Sequence, residues 1–144
     1  MNLPDIEHLH PLVVHFPIAL LLTAVAIEGL ALILKRQALH RVALWNLCLG
    51  TLGAAVAVFT GLEAAETAKH SFEIWQVMAL HQRLGIATLI LGLMASGLRL
   101  FTRDRLSARV RLFAFALMLA MASTVAFGGY LGGRLVYEFG VGGP

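Results

Sequence analysis

Histidines are the residues of this sequence whose type and placement point to chemistry. Six occur in the chain, and five of them fall on one side of the apolar stretches described below: His8, His10, His15, His70 and His81. An imidazole nitrogen is a ligand for haem iron, zinc and copper alike. The single cysteine, Cys48, excludes a disulfide framework, a Cys-ligated zinc site, an iron–sulfur cluster and haem attachment through CxxCH. The sequence therefore predicts that metal chemistry in this protein would depend on histidines.

Two of these histidines lie within apolar segments, where an ionisable side chain is costly and often functional. His15 stands in the run HPLVVHFPIALL, and Pro17 removes a backbone hydrogen bond to Val13, so we expect the first helical turns to be kinked. His81 opens the apolar part of a later segment, and small residues form the helical face below it: Gly85, Thr88 and Gly92. Such a face would let a flat porphyrin approach the backbone, although small residues also line ordinary contacts between transmembrane helices.

His10, His15 and His81 are the candidate ligands of a haem b iron, since haem in membrane proteins is held by histidines on facing helices. Arg83 and Arg134 are candidate partners of the haem propionates, and the alternative is that they extend to lipid headgroups. Zinc or copper on the same histidines stays open as well. Carboxylates for such an ion would come from the same side of the chain: Asp5, Glu7, Glu63 and Glu66.

The elements that would position these side chains are four apolar runs of membrane length. Hydrophobic residues make up 59% of the 144 residues and charged residues 13%, about half the charged share of a soluble domain. A bilayer core needs about 20 apolar residues, and the sequence predicts helices over about 11–34, 42–62, 77–100 and 110–132. Short connections predict one all-α membrane domain over 1–144, a four-helix up-down bundle. This composition excludes a soluble enzyme and a disordered chain.

Basic residues predict the orientation of the bundle. Eight of the eleven Lys and Arg residues fall in the two stretches 35–41 and 99–111, which the positive-inside rule places in the cytoplasm. Both termini, the 63–79 loop and the five clustered histidines then face the periplasm of a bacterial inner membrane. The loop is expected to hold an interfacial helix at Phe72 and Trp75. His40 is expected to be a solvated cytoplasmic histidine. The basic charge is thus explained by the membrane, with no nucleic-acid partner.

Three further expectations concern a carboxylate and the glycines. Glu28 is expected to be structural, either neutral or paired with a basic residue such as Arg99. Gly132 and Gly133 are expected to end or bend the fourth helix. Plain helix packing is expected for the small residues of the second run, Gly53, Ala57 and Gly61.

Three segments together resemble a known family. They are HPLVVHFPIALL (His10 to Leu21), HQRLG (His81 to Gly85) and GGYLGGRLVYEFGVG (Gly128 to Gly142). The chain resembles the bacterial membrane-protein family called domain of unknown function 2231, which has an HPxxVHFP opening, a later membrane histidine and a GG-x-LVY-x-x-GVG ending. The resemblance implies four transmembrane helices and makes His10, His15 and His81 the family's histidines. Its members are often associated with Rieske or cytochrome c modules, which implies a redox partner that is here a separate protein.

The sequence leaves three hypotheses for function. The first is a membrane protein that binds haem b through outer-side histidines and transfers electrons, alone or as a subunit of a respiratory or oxidoreductase complex with a periplasmic cytochrome or another redox subunit as partner. The second is a cofactor-free accessory subunit in a homo- or hetero-oligomer, and the third is an outer-side zinc or copper site. No nucleophile–base pair or phosphate loop is visible, so no independent enzyme activity is expected.

Overall fold

The computed structural model describes residue 10 and residues 12–67, 71–102 and 107–141. These residues form four long helices: α1 (His15–Leu34), α2 (Gln37–Thr67), α3 (Phe72–Phe101) and α4 (Ala108–Tyr137). All four are long and apolar enough to cross a membrane. The prediction of an all-α protein with four candidate membrane spans is therefore confirmed.

Local sequence signals set several helix ends. α1 ends at Lys35, which adopts a left-handed backbone with φ 53° and donates its N–H back into the last turn. α2 begins two residues later, so the first hairpin is tight. Ser71 and Ser107 cap α3 and α4, because each hydroxyl accepts a hydrogen bond from the backbone N–H three residues on.

The helices form a closed square in which each runs antiparallel to its neighbours. Packing joins α1 to α2, α2 to α3, α3 to α4, and α4 back to α1. Antiparallel directions follow from the contacts, since Pro17 in α1 lies beside Gly53 in α2, whereas Leu21, one turn later, lies beside Gly50. α1 and α3 are therefore diagonal to each other across the bundle axis. We call the end that holds His10 and His81 the histidine end, and the opposite one the arginine end.

Small and aliphatic side chains fill the axis of the bundle, and large apolar side chains cover its outside. The central cluster consists of Leu21, Ala24, Leu47, Ala54, Ala95, Met118, Met121 and Val125. On the outer surface Ile33, Trp45 and Phe113 are exposed by more than half of their area. A soluble monomer rarely carries so continuous an apolar surface, so this surface faces a lipid bilayer.

The observed helix ends agree with the sequence expectations in part. α4 does not end at Gly132 and Gly133 but continues to Tyr137. The helix expected at Phe72 and Trp75 is present as the first part of α3, which begins at Phe72, while α2 runs on to Thr67. Extending a formed helix adds a hydrogen bond for each residue, so polar residues at its end remain helical. The regular part of α1 begins at His15 rather than at 11.

Candidate cofactor site

His81 lies in α3 on the side that faces α4. Its Nδ1 atom is 2.8 Å from the backbone oxygen of Gly128. A carbonyl oxygen only accepts, so we assign the proton to Nδ1, and Nε2 keeps a lone pair in the neutral ring. Gly132, one turn further along α4, lies against the same ring, because a Cβ there would be 3.1 Å from the ring Cε1. α4 thus supplies both an acceptor and space for this imidazole.

His10 lies in a helical turn before α1, in which the Val14 N–H bonds to the His10 backbone oxygen at 3.1 Å. The His10 Nδ1 is 3.2 Å from Thr60 Oγ1 in α2. The Thr60 hydroxyl donates its own proton to backbone oxygens of the preceding turn, so Oγ1 accepts the Nδ1 proton of His10. Gly61 lies against this ring, since a Cβ there would be 2.7 Å from the ring Cε1.

The two imidazoles meet at the bundle axis, one from the α1 side and one from the diagonal helix α3. Their ring centroids are 6.3 Å apart and their planes cross at 84°. Each Nδ1 lies at hydrogen-bond distance from a protein oxygen, so a neutral ring with its proton on Nδ1 has its lone pair on Nε2. Histidines that bind a metal typically donate their other ring N–H to a carbonyl or another acceptor in this way.

The environment of His10 favours its neutral form. Burial lowers the pKa of His10 from its ordinary 6.5, and the nearby His81 lowers it further. A hydrogen bond with the backbone of Ala57 raises the pKa and only partly offsets these effects. Because only the neutral ring has a lone pair on Nε2, this shift favours the form that binds a metal.

The other candidate site residues lie in different surroundings. The side chain of His15 is exposed, and so is that of Arg83. The Nε atom of Arg134 donates to Glu138 Oε2 at 2.8 Å, and its guanidinium lies 5.8 Å from the ring centroid of Phe139. The structure thus brings the half-buried His10 and His81 together, whereas His15 and Arg83 are exposed and Arg134 pairs with Glu138.

Neighbouring side chains fill the small-residue face below His81. A Cβ on Gly92 would be 2.7 Å from Thr51 Oγ1, and a Cβ on Gly85 would be in ordinary contact with α2. The Thr88 hydroxyl is 2.8 Å from that of Thr124 in α4. These small residues therefore serve contacts between helices.

The donor set that the structure describes at the pair consists of two imidazoles. Among the residues that the structure describes, no three His, Cys, Asp or Glu side chains lie together, whereas a protein zinc site uses at least three. Haem iron takes two axial imidazoles, which is what His10 and His81 offer. The further candidates His8, His70, Asp5 and Glu7 lie outside the described residues.

A second polar cluster closes the arginine end, with one side chain from each helix. Glu28 of α1 accepts a hydrogen bond from Arg99 Nη1 of α3 at 2.8 Å. The other carboxylate oxygen of Glu28 is 2.8 Å from Nδ1 of His40 in α2. Arg111 of α4 places Nη1 3.2 Å from His40 Nε2. The expected pairing of Glu28 with Arg99 is therefore confirmed, and it forms part of a larger network.

The expectation that His40 is solvated is wrong. The residue is 2% exposed, because α2 already begins at Gln37 and the first turn directs His40 to the bundle axis. The Arg111 guanidinium only donates, so His40 Nε2 accepts and Nδ1–H donates to Glu28. A second donor from α3 also reaches this residue, since Arg99 Nη2 is 2.7 Å from the His40 backbone oxygen.

Comparison with protein families accounts for nearly the whole chain. The model of a predicted membrane protein family, DUF2231, matches residues 7–143. The chain belongs to this family. Membership confirms the resemblance seen in the opening and closing motifs. Comparison with curated proteins and with solved structures found no match.

Several residues around the two polar clusters of this DUF2231 protein had no distinctive sequence signal. Gly61 was expected to serve plain helix packing, yet it lies against His10. The sequence likewise does not indicate that Thr60 and Gly132 contact a histidine. The sequence indicated these contacts only indirectly. α1 and α2 are antiparallel and joined by a tight turn, so residues at similar distances from that turn lie side by side. That rule relates His10 to Gly61 and Glu28 to His40.

Proposed function

We propose that this DUF2231 protein binds one haem b between His10 and His81 and transfers electrons at the periplasmic face of a bacterial inner membrane. It does so alone or as the haem-bearing subunit of a respiratory or oxidoreductase complex. The observation that carries the proposal is the histidine pair, in which both Nδ1 atoms lie at hydrogen-bond distance from protein oxygens and the two rings lie 6.3 Å apart.

The spacing of the rings supports this proposal. Two imidazoles that bind one ion through nitrogen–metal bonds of about 2.0 Å have ring centroids at most about 6 Å apart. The observed separation is 6.3 Å. The pair also lies at the end of an apolar bundle, and bundle cores are where cofactors are held by side chains of facing helices.

The residues around the pair have separate roles in the proposal. His10 and His81 would ligate the iron, Thr60 and the Gly128 carbonyl would fix the two rings through Nδ1, and Gly61 with Gly132 would give the rings space. Haem supplies reversible one-electron transfer when it is bound. Partial burial of His10 lowers its pKa and favours its neutral form.

Charge distribution supports the periplasmic location. The connections at the arginine end are basic, and the positive-inside rule assigns such connections to the cytoplasm. The histidine end then faces the periplasm, where a soluble cytochrome or a redox subunit of the same membrane would exchange electrons with it. Among the described residues, a half-buried histidine pair near one face supports exchange at that face rather than conduction across the bilayer.

The test is a visible absorption spectrum of the protein purified in detergent after expression with ample haem, before and after reduction with dithionite. A sharp Soret band with resolved α and β bands on reduction would support bis-histidine haem. His10→Ala and His81→Ala should remove these bands, whereas His15→Ala, at an exposed histidine, should leave them unchanged. A featureless spectrum of a folded, haem-supplied protein would refute the proposal.

A structural role for the same pair is the competing hypothesis, and the edge-on contact of the two rings favours it. In that case the chain is a cofactor-free accessory subunit, and the wild type has no haem spectrum. His81→Ala would then lower the melting temperature in detergent and weaken co-purification with a partner subunit. Metal analysis of the same samples tests the zinc or copper alternative.

A further inference from the structure

A groove of about 340 Å³ opens between α2 and α3 at the histidine end. Leu62, Met78 and Ala79 supply apolar surface, while Trp75, Glu66 and Gln82 contribute an indole, a carboxylate and an amide. Its volume lies within the range of about 300–1,000 Å³ that is usual for small-molecule sites, and such sites combine an apolar lining with a few polar groups. The groove is open to the surface, and its volume and mixed lining are comparable to those of small-molecule sites.

We propose that this groove binds the head ring of a lipid-soluble quinone in its oxidised or reduced form. The inference rests on the proposed function, because a haem at His81 requires an electron donor or acceptor within reach. Met78 precedes His81 by about one helical turn, and Gln82 follows it directly. A ring held in the groove therefore lies beside the helix that carries this histidine.

The lining groups match the chemistry of a quinone ring. The Gln82 side-chain amide can donate a hydrogen bond to a ring carbonyl, and the Glu66 carboxylate can accept one from a ring hydroxyl of the reduced form. The Trp75 indole offers an aromatic face, and offset stacking between aromatic rings is favourable. One groove thus provides a donor, an acceptor and a stacking surface among apolar side chains.

The position of the groove favours a ligand that arrives through the membrane. Both walls belong to candidate membrane spans, Gln37–Glu66 and Phe72–Phe101. Trp75 is 55% exposed, and indole side chains commonly lie at the level of lipid headgroups. A lipid-soluble molecule whose polar ring lies at this level can enter the groove sideways from the bilayer.

The test is a binding titration of the full chain in lipid nanodiscs with decylubiquinone as the probe, in both haem-loaded and haem-free protein. The Trp45→Phe background leaves Trp75 as the sole tryptophan, so its fluorescence reports on the groove. We expect saturable quenching in which Glu66→Gln weakens binding of decylubiquinol, and Gln82→Ala weakens binding of either form, by about fivefold to tenfold, as for the loss of one hydrogen bond. Glu63→Gln, at an exposed carboxylate outside the groove, is the matched control.

Quenching that rises linearly without saturation, or that the two groove variants leave unchanged, would overturn the inference. The two proposals fail separately. Saturable quenching by a protein that never shows a haem spectrum would retain the quinone site and reject the haem. A haem spectrum without saturable quenching would retain the haem and reject the quinone site. Circular dichroism of each variant confirms that an altered affinity does not come from lost helices.

Discussion

Replacing Glu28 by glutamine should lower the free energy of unfolding by about 3 kcal/mol. The side chains of Glu28 and Arg99 are 3% and 1% exposed, and the carboxylate accepts from Arg99 and from His40. A glutamine has one acceptor oxygen instead of two. Its NH2 group would therefore face either the Arg99 or the His40 donor, and that hydrogen bond would be lost. A buried hydrogen bond to a charged group contributes about 1.5–3 kcal/mol, and Arg99 would also keep a buried charge without its carboxylate.

The measurement is reversible denaturant unfolding in detergent micelles, followed by far-ultraviolet circular dichroism. Glu63→Gln is the control, because this carboxylate is exposed and should change stability by less than about 0.5 kcal/mol. The double variant Glu28→Gln/Arg99→Met should recover part of the loss, since it removes both charges. If Glu28→Gln costs no more than Glu63→Gln, the carboxylate does not hold Arg99 and the reasoning is refuted.

Further predictions concern the histidines and glycines of the two ends. His40→Asn should be more stable than His40→Leu by about 1 kcal/mol in the same unfolding assay, because asparagine keeps a donor near the position of Nδ1. Gly61→Ala should displace the His10 ring and weaken the haem spectrum, since its Cβ would be 2.7 Å from Cε1, whereas Gly133→Ala, with open space at its Cβ, should be tolerated. Stability should fall as the pH drops from 6.5 through the lowered pKa of folded His10, because the unfolded chain then binds more protons. His10→Asn should flatten this part of a plot of melting temperature against pH, and an unchanged slope would contradict the prediction.

The number of helices could be predicted from the sequence, because an apolar run of membrane length has few alternatives to a spanning helix. The pairing of Glu28 with Arg99 could be predicted for a related reason. A carboxylate within an apolar run needs a partner of opposite charge, and Arg99 lies at a similar depth in the third run. Exposing backbone polar groups or an unpaired charge to lipid is costly, so the pattern of residue types predicts both the spanning helices and the ion pair.

The orientation of individual side chains about each helix could not be predicted in the same way. All four helices are apolar around most of their circumference, so hydropathy does not identify the face that points to the axis. His40 is an example. The charged neighbour Arg41 indicated a solvated position for His40, but Arg41 is exposed while the helix turns His40 inward. Gly61 and Gly132 depend on the same rotation, because their role is defined only by the ring on the opposite helix.

The two polar clusters explain how a bundle with so uniform a surface acquires one arrangement. Within a bilayer, apolar side chains gain little from leaving lipid for a helix contact, so packing, hydrogen bonds and small residues have to select the partners. The axis of this bundle is lined by small and aliphatic residues that permit close approach but discriminate weakly between registers. Polar contacts at both ends join the diagonal helices: His10 meets His81, and Glu28 meets Arg99. A shift of α1 against α3 by one helical turn would separate both pairs at once. His10 and His81, which are proposed to hold a cofactor, therefore also help the Glu28–Arg99 pair to fix the register of the two helices.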